Sequence, residues 1–332
     1  MKGAIYFFCV VVLLFLVSCK TNNKETYKTL QGVVFGTEYN IQIDSHIDFS
    51  KQIDSVFKAV DRAANTYDKN SQISVLNRTG VYKDPSPTFV DMLKKAQYYY
   101  NQSNGYFNPA IYPLISEWKN GFENRAEIDT SKVVQLLKLT DFKNNISIEK
   151  NLIKTTETGV EIDLSALGEG YTIDAIASIL NKSGVKNYMI ELGGEMYAKG
   201  NNPRGKIWLI GIEKPSSTTS MSERAVINTV YLNDVGLSTS GSYRKFYSDS
   251  LGNKHSHIVD PKTGFPVSHH LLSASIKSKA STEADALATA CMAMGLNKAK
   301  QFIEDKLAIE GFLIFSENDS LKVWSSNKFL QE

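Results

Sequence analysis

DLSALGEGYTID, Asp163 to Asp174, joins the two halves of the chain. A carboxylate and the glycines Gly168 and Gly170 mark a loop entering a helix. Ile173, Ile176 and Leu180 lie on one face of that helix, and Gly184 stops it. Glycines at a helix entrance let backbone approach a ligand closely, and the free N–H groups and helix dipole there favour a phosphate. The same residues also serve as an ordinary strand–turn–helix, and they match neither a P-loop nor G-x-G-x-x-G. After this helix, strand-like runs follow at 188–192, 207–212 and 225–231. Strands clustered between separated helices predict an α+β fold better than regular βαβ alternation.

Upstream, Gly32 to Ile43 ends in the alternation of a half-buried strand (Tyr39, Ile41, Ile43). Ser50 to Thr66 reads as a helix behind a Ser50 cap, with Ile53, Phe57, Val60 and Ala64 at helical spacing, broken by Asp68 to Ser71. Thr88 and Asp91 suggest a capping box for a helix to about Tyr100, before Gly105. Ser131 to Leu139 predicts a short helix and 146–162 short strands. Downstream, Thr282 to Met294 and Asn297 to Glu310 predict helices, then Phe312 to Phe315 and Leu321 to Trp324 strands. The Ser/Thr cluster at 216–222 marks a loop or lobe boundary. No internal repeat, heptad pattern or low-complexity tract is present.

The 332 residues suffice for one large domain or two ordinary ones. A hydrophobic share of 42% and a charged share of 22% exclude a disordered tail, a collagen-like rod and a multi-span membrane protein. A net charge of +2 gives no global field to hold a nucleic-acid backbone, so no nucleic-acid partner is expected. Lys2 precedes the apolar run Ile5 to Val17, which is too short to span a bilayer and predicts a secretory leader. The run ends Leu16-Val17-Ser18-Cys19, which looks like a bacterial lipobox. Residues 1–18 then form the signal peptide, 19–30 a tether from a lipidated Cys19, and 31–332 a single catalytic unit. The expected location is the cell envelope, anchored on the periplasmic side of the inner or outer membrane. Loss of Cys9 with the leader leaves Cys291 as the one free thiol, so no intrachain disulfide is expected.

Three further segments carry chemistry. In Leu192-Gly193-Gly194-Glu195 the paired glycines permit positive φ, for a ligand's approach or for a turn. Ser238 to Tyr247 and His255 to Val267 crowd hydroxyls, Arg244, His257, Asp260 and the Thr263-Gly264 pair into thirty residues, and Pro261 and Pro266 rigidify the second part into turns. Four of the five histidines fall between 255 and 270. No Cys or Glu stands at zinc-protease spacing, so a base or phosphate-orienting histidine is favoured over a zinc ligand. In TEADALATACMAMG, Asp285 and Thr289 are four apart and share a helix face. Their hard oxygens suit Mg²⁺, although taken alone a first-turn charge and a back-bonded threonine account for them better.

Taken in order, FGTEY at Phe35, TYDKNSQISVLN at Thr66, GYFNPAIYPL at Gly105, DLSALGEGYTID, ELGGE, TSGSYRKF, HIVDPKTGFP and EADALAT resemble the FAD:protein FMN transferase (ApbE-like) family, whose members are commonly exported lipoproteins. The resemblance runs from about Gly32 to Gly295. It implies antiparallel sheets flanked by helices, in two interleaved lobes with the flavin site between them. It implies transfer of the FMN half of FAD to a threonine hydroxyl of a partner protein, with release of AMP; the partner would be an exported subunit of a redox complex. It further implies flavin contacts at Phe35, Tyr67, Tyr106, Phe107, Asn108, Asp163, Glu169 and Val259. Mg²⁺ would be held by the Ala166 carbonyl, Asp285 and Thr289, with His257 activating the threonine and Asp260 supporting it or the fold.

Elementary chemistry agrees with that scheme. A threonine hydroxyl is a poor nucleophile at neutral pH, and an imidazole, with its ordinary pKa of about 6.5, suits the task of base. A divalent ion offsets charge developing on a pyrophosphate. Four positions depart from the usual family pattern: Asn108 where aspartate is frequent, Ala110 where threonine is, Phe35 where methionine is, and Glu169 where many members carry lysine. An FAD pyrophosphatase on the same scaffold and a non-catalytic flavin-binding lipoprotein are the alternatives.

Overall fold

The computed structural model describes residues 27–123, 129–215, 225–242, 246–248, 254–318 and 320–331. Cys19, the leader, the 216–222 cluster and Arg244 lie outside them. The described residues begin with β1 (Tyr27–Val34), β2 (Thr37–Asp44), α1 (Ser50–Ala64), α2 (Gln72–Thr79), β3 (Val81–Lys83) and α3 (Pro87–Gln102). Next come α4 (Tyr112–Glu123), α5 (Thr130–Leu139), α6 (Phe142–Asn145), β4 (Ile146–Ile148), β5 (Leu152–Thr155) and α7 (Ser165–Lys182). A strand-rich stretch follows: β6 (Tyr188–Leu192), β7 (Glu195–Lys199), β8 (Trp208–Glu213), β9 (Val226–Leu232), β10 (Val235–Gly241), β11 (Phe246–Ser248), β12 (Lys254–Ser256) and β13 (Leu271–Ser278). The chain closes with α8 (Ser281–Met294), α9 (Leu296–Glu304), β14 (Ile309–Glu317) and β15 (Ser320–Ser325).

Strand pairing makes an eight-stranded sheet in the order β1-β2-β6-β7-β10-β13-β14-β15, antiparallel throughout. Alternation along each strand sends side chains to two different layers. Ile41, Ile43, Tyr188, Ile190 and Leu192 meet Ile173, Ile176 and Leu180 of α7 and Ile53 and Phe57 of α1. Met189, Ala198, Leu237, Phe312 and Ile314 point the opposite way, to Trp208, Ile212, Val230 and Leu232 of the β8–β9 hairpin and to Phe329. The sheet therefore lies between helices and a two-stranded cover, the α+β arrangement the strand clusters predict.

The motif Asp163 to Asp174 ties these layers together. Asp163 Oδ1 accepts the Ser165 N–H at 2.7 Å and so opens α7. Asp174 accepts the N–H groups of Ser281 at 2.8 Å and Thr282 at 2.9 Å, donors that α8's own N-cap residue, Ala280, leaves without a side-chain partner. Gly168 and Gly170 sit within α7 rather than in a loop before it, so the expected glycine-lined entrance is absent. Gly170 serves packing instead: a Cβ there would lie 2.7 Å from the Ser281 carbonyl carbon and 2.9 Å from the Asp285 Cβ. Gly170→Ala gains helix propensity but must push two backbones apart. We expect a net loss of about 1–3 kcal/mol, read from denaturant midpoints.

Local corrections follow from turn chemistry. Gly32 to Ile43 is two strands, reversed at Phe35 (φ 55°) and Gly36 (φ 79°). Ser50 does not cap α1; Asp48 Oδ1 accepts its N–H at 2.9 Å and Ser50 begins the helix. Ser86, not Thr88, caps α3, because Pro87 fits the first turn and Ser86 Oγ accepts the Phe89 N–H at 3.2 Å. The last helix stops at Glu304 instead of Glu310, since Ile309 onward pairs with β13. Cys291 lies within α8 fully buried, and burial pushes its thiol up to about 12. Among the described residues no helix is long and apolar enough to cross a membrane.

Candidate functional site

A cavity of about 350 Å³ opens on the helix side of the sheet, where the start of α7, the end of β10 and the middle of α8 meet. Tyr106, Phe107 and Asn108 reach it from the loop after α3, Asp163 and Ala166 from the start of α7, His257 and Val259 from the loop after β12, and Thr289 from α8. Eight of the residues singled out in the sequence thus share one wall.

Each is held by a nameable contact. Ser103 Oγ accepts the Phe107 N–H at 2.9 Å, so the loop turns inward and buries the Phe107 ring. Asn108 donates from Nδ2 to the Thr140 carbonyl at 2.9 Å and accepts the Ala110 N–H at 3.0 Å. These are bonds of an amide that an aspartate could make only in part, and they explain how the loop keeps its shape with asparagine. Lys298 Nζ donates to the Tyr106 hydroxyl at 2.8 Å. Val259 is buried with Trp118, Leu114 and Val133, which anchors His257 two residues before it.

The remaining residues are placed differently. Asp285 is one turn before Thr289 and 4% exposed; its Oδ2 accepts the Gly170 N–H at 3.1 Å. Glu169 lies beside it, in space left by Gly193, whose Cβ would come 2.6 Å from Glu169 Oε1. Asp260 builds its own loop, its carboxylate taking the Lys262 N–H at 2.8 Å and its carbonyl the Gly264 N–H at 2.8 Å. Phe35 does not line the cavity; it packs edge-on to Phe57 at the β1–β2 turn. Tyr67, 99% exposed, lines a separate depression of about 300 Å³ with Asn77, Arg78, Tyr112 and Glu161. The ELGGE glycines turn β6 into β7, with φ values of 66° and 105°.

Two side chains, Ser240 and Glu195, lie in motifs the sequence marks but are not among its candidate site residues. Ser240 Oγ and Thr289 Oγ1 are hydrogen-bonded at 3.1 Å across the cavity floor. Glu195, 8% exposed, accepts from Ser238 Oγ at 3.1 Å, and burial first, then Asp285 and Glu169, hold its carboxyl far above the usual range. Its position at the end of ELGGE was the available signal; what hides it is that the strand pairing bringing β7 to β10 spans about 40 residues of chain.

Burial, followed by the charge of Glu169, pushes Asp285 up to about 8, against the pull of the Gly170 N–H. The folded protein therefore binds a proton there that the unfolded chain releases near pH 3.8. Stability of metal-free protein is accordingly expected to fall as pH rises from about 4 to about 8. Mg²⁺ should raise the thermal midpoint most at the alkaline end, where the carboxylate is free to bind it. Asp285→Asn should flatten both trends in a melting series across pH.

The ApbE family model matches residues 35–313 of this chain. The chain belongs to the ApbE family. The FAD:protein FMN transferase of Haemophilus influenzae is 31% identical over 96% of this chain and 95% of its own length. That of Escherichia coli K12 is 28% identical, over 95% and 93% respectively. Among solved structures, the flavin transferase ApbE from Vibrio cholerae superposes with a TM-score of 0.77 at 29% identity, covering 91% of this chain and 98% of that one.

The residues of this ApbE-family chain fit a hard divalent cation. Asp285, Thr289 and the Ala166 carbonyl offer only oxygen donors, the set Mg²⁺ takes. The Gly170 N–H, one turn after Ala166, is donated to Asp285 Oδ2 at 3.1 Å, which ties the first turn of α7 to that carboxylate. A buried carboxylate facing Glu169 also gains from a cation that offsets both charges. Among the described residues no group of three or more His, Cys, Asp or Glu side chains is arranged to hold a metal.

Proposed function

We propose that this ApbE-family enzyme moves the FMN moiety of FAD onto a threonine hydroxyl of an exported partner protein and releases AMP. The observation that carries the reading is the cavity on which His257, Tyr106, Phe107, the start of α7 and Thr289 converge, with Asp285 buried one turn before Thr289. Tyr106 and Phe107 supply aromatic surface for a flavin or adenine ring, and α7 brings its Ser165–Ala166 end to the cavity, where the helix dipole would favour a phosphate. His257 takes the proton from the threonine Oγ as the Oγ–P bond forms. The bond between the two phosphates breaks, and AMP departs with its electron pair. Mg²⁺, held by Asp285, Thr289 and the Ala166 carbonyl, would supply neutralisation of the pyrophosphate charge. Asp260 keeps the loop of His257 in place through its own backbone bonds. Cys19 would carry acyl chains that tether the enzyme to the envelope membrane, on the side where exported redox proteins fold.

Mass spectrometry of purified protein with FAD, Mg²⁺ and an acceptor-threonine peptide tests this reading. A peptide gain of one FMN less water, abolished by EDTA, is expected. Free FMN and AMP beside an unmodified peptide would make the enzyme a pyrophosphatase, and unchanged bound FAD would make it a carrier.

A further inference from the structure

The face of the sheet turned away from the cavity carries a second concavity. Ile41 and Ile43 of β2 face the helices, so Gln42 between them faces the other way. Gln42 forms one wall of a groove of about 1,020 Å³; the turn between β7 and β8 and the edge of the β8–β9 hairpin form the others. Asn202 builds that turn, its side-chain oxygen accepting the N–H groups of Arg204 at 2.9 Å and Lys206 at 3.3 Å. Arg204 and Lys206 thereby stand exposed on the rim, and among the described residues neither pairs with a carboxylate. Among the described residues no acidic side chain lines the groove. Leu209, 50% exposed, and Tyr231 add apolar surface, and Trp208 in the wall is 6% exposed with its indole N–H lacking a partner.

The first described residue meets the fold at this groove. The Tyr27 hydroxyl donates to the Asn201 carbonyl, and its ring meets Trp208 edge-on with centroids 6.3 Å apart. Tyr27 follows Cys19 by eight positions, and eight residues of chain reach at most about 29 Å. An acylated Cys19 therefore keeps this face near the bilayer, while the cavity lies on the opposite side of the sheet.

We propose that this groove binds the anionic headgroup of a membrane phospholipid. Arg204 and Lys206 meet the phosphate, and Leu209 and Tyr231 lie against the glycerol and upper acyl region. Basic side chains are drawn to an anionic leaflet, and aromatic residues concentrate at the interface. The exposed leucine beside the two cations favours a lipid over a soluble phosphate. The orientation rests on the anchor at Cys19; the headgroup site does not.

The test uses residues 19–332 with Cys19→Ser, which carry no acyl group, in sedimentation with vesicles of phosphatidylcholine with or without phosphatidylglycerol. Binding only to the phosphatidylglycerol vesicles is expected. Arg204→Ala with Lys206→Ala should weaken it about 30-fold, with FMN transfer in solution unchanged. Equal binding to both vesicles, no binding, or an unaffected double variant would overturn the proposal. Displacement by inorganic phosphate at equal concentration would reduce it to a soluble-anion site. A wild-type chain that leaves the membrane fraction as readily as Cys19→Ser would instead count against the anchor alone.

Discussion

Asp285→Ala is expected to cut FMN transfer about 10³-fold while the protein still folds and still binds FAD. The substituted carboxyl is buried and, without a cation, destabilised in its charged form by desolvation and by Glu169. Its removal leaves the Gly170 N–H with the helical acceptor at Ala166, and alanine is a good helix former. The melting temperature at neutral pH should therefore hold or rise, which separates loss of activity from loss of fold. Mg²⁺ should no longer raise that temperature. Transfer is read by peptide mass and FAD binding by flavin fluorescence; full activity in the variant would remove Asp285 from the metal site.

His257→Ala should lower kcat by about 10²–10³-fold with the affinity for FAD unchanged, because a base acts on the incoming hydroxyl. The histidine lines the cavity two residues before Val259, which is locked among Trp118, Leu114 and Val133, so the substitution leaves the loop anchored. A split between kcat and the FAD dissociation constant is the informative readout. If affinity for FAD falls in proportion to turnover, His257 is a binding residue and the proton must go elsewhere.

Much of the architecture was legible where side-chain pattern and backbone demand agree. Tyr188 to Leu192, Trp208 to Glu213 and Val226 to Leu232 are apolar and β-branched, and they are strands. β10 and β13 were not legible. GLSTSG and SASIKS are built from small residues, because α8 lies close against them and leaves room for little else. The short α2 was missed because Ser71, its cap, also reads as the break after α1. In the site, Tyr106 to Asn108, Asp163, Ala166, Val259 and Thr289 converge as the motif order implies. Phe35 and Tyr67 stand apart from the cavity, since a resemblance names a residue without placing the hairpin turn or loop that carries it. Glu195 depended on a pairing between distant strands, which no local pattern encodes.

The thiol of Cys291, buried on α8 with its ionisation pushed up to about 12, is closed to reagents in the native fold. Disulfide exchange and alkylation both need an accessible thiolate, and the native state provides none. On the proposed export, in which a leader would remove Cys9 and acylation would block Cys19, Cys291 would have no intramolecular partner once exposed. A thiol reagent then reacts only as fast as α8 opens. The rate of labelling at increasing denaturant becomes a clock for the opening of the helix that also carries Asp285 and Thr289.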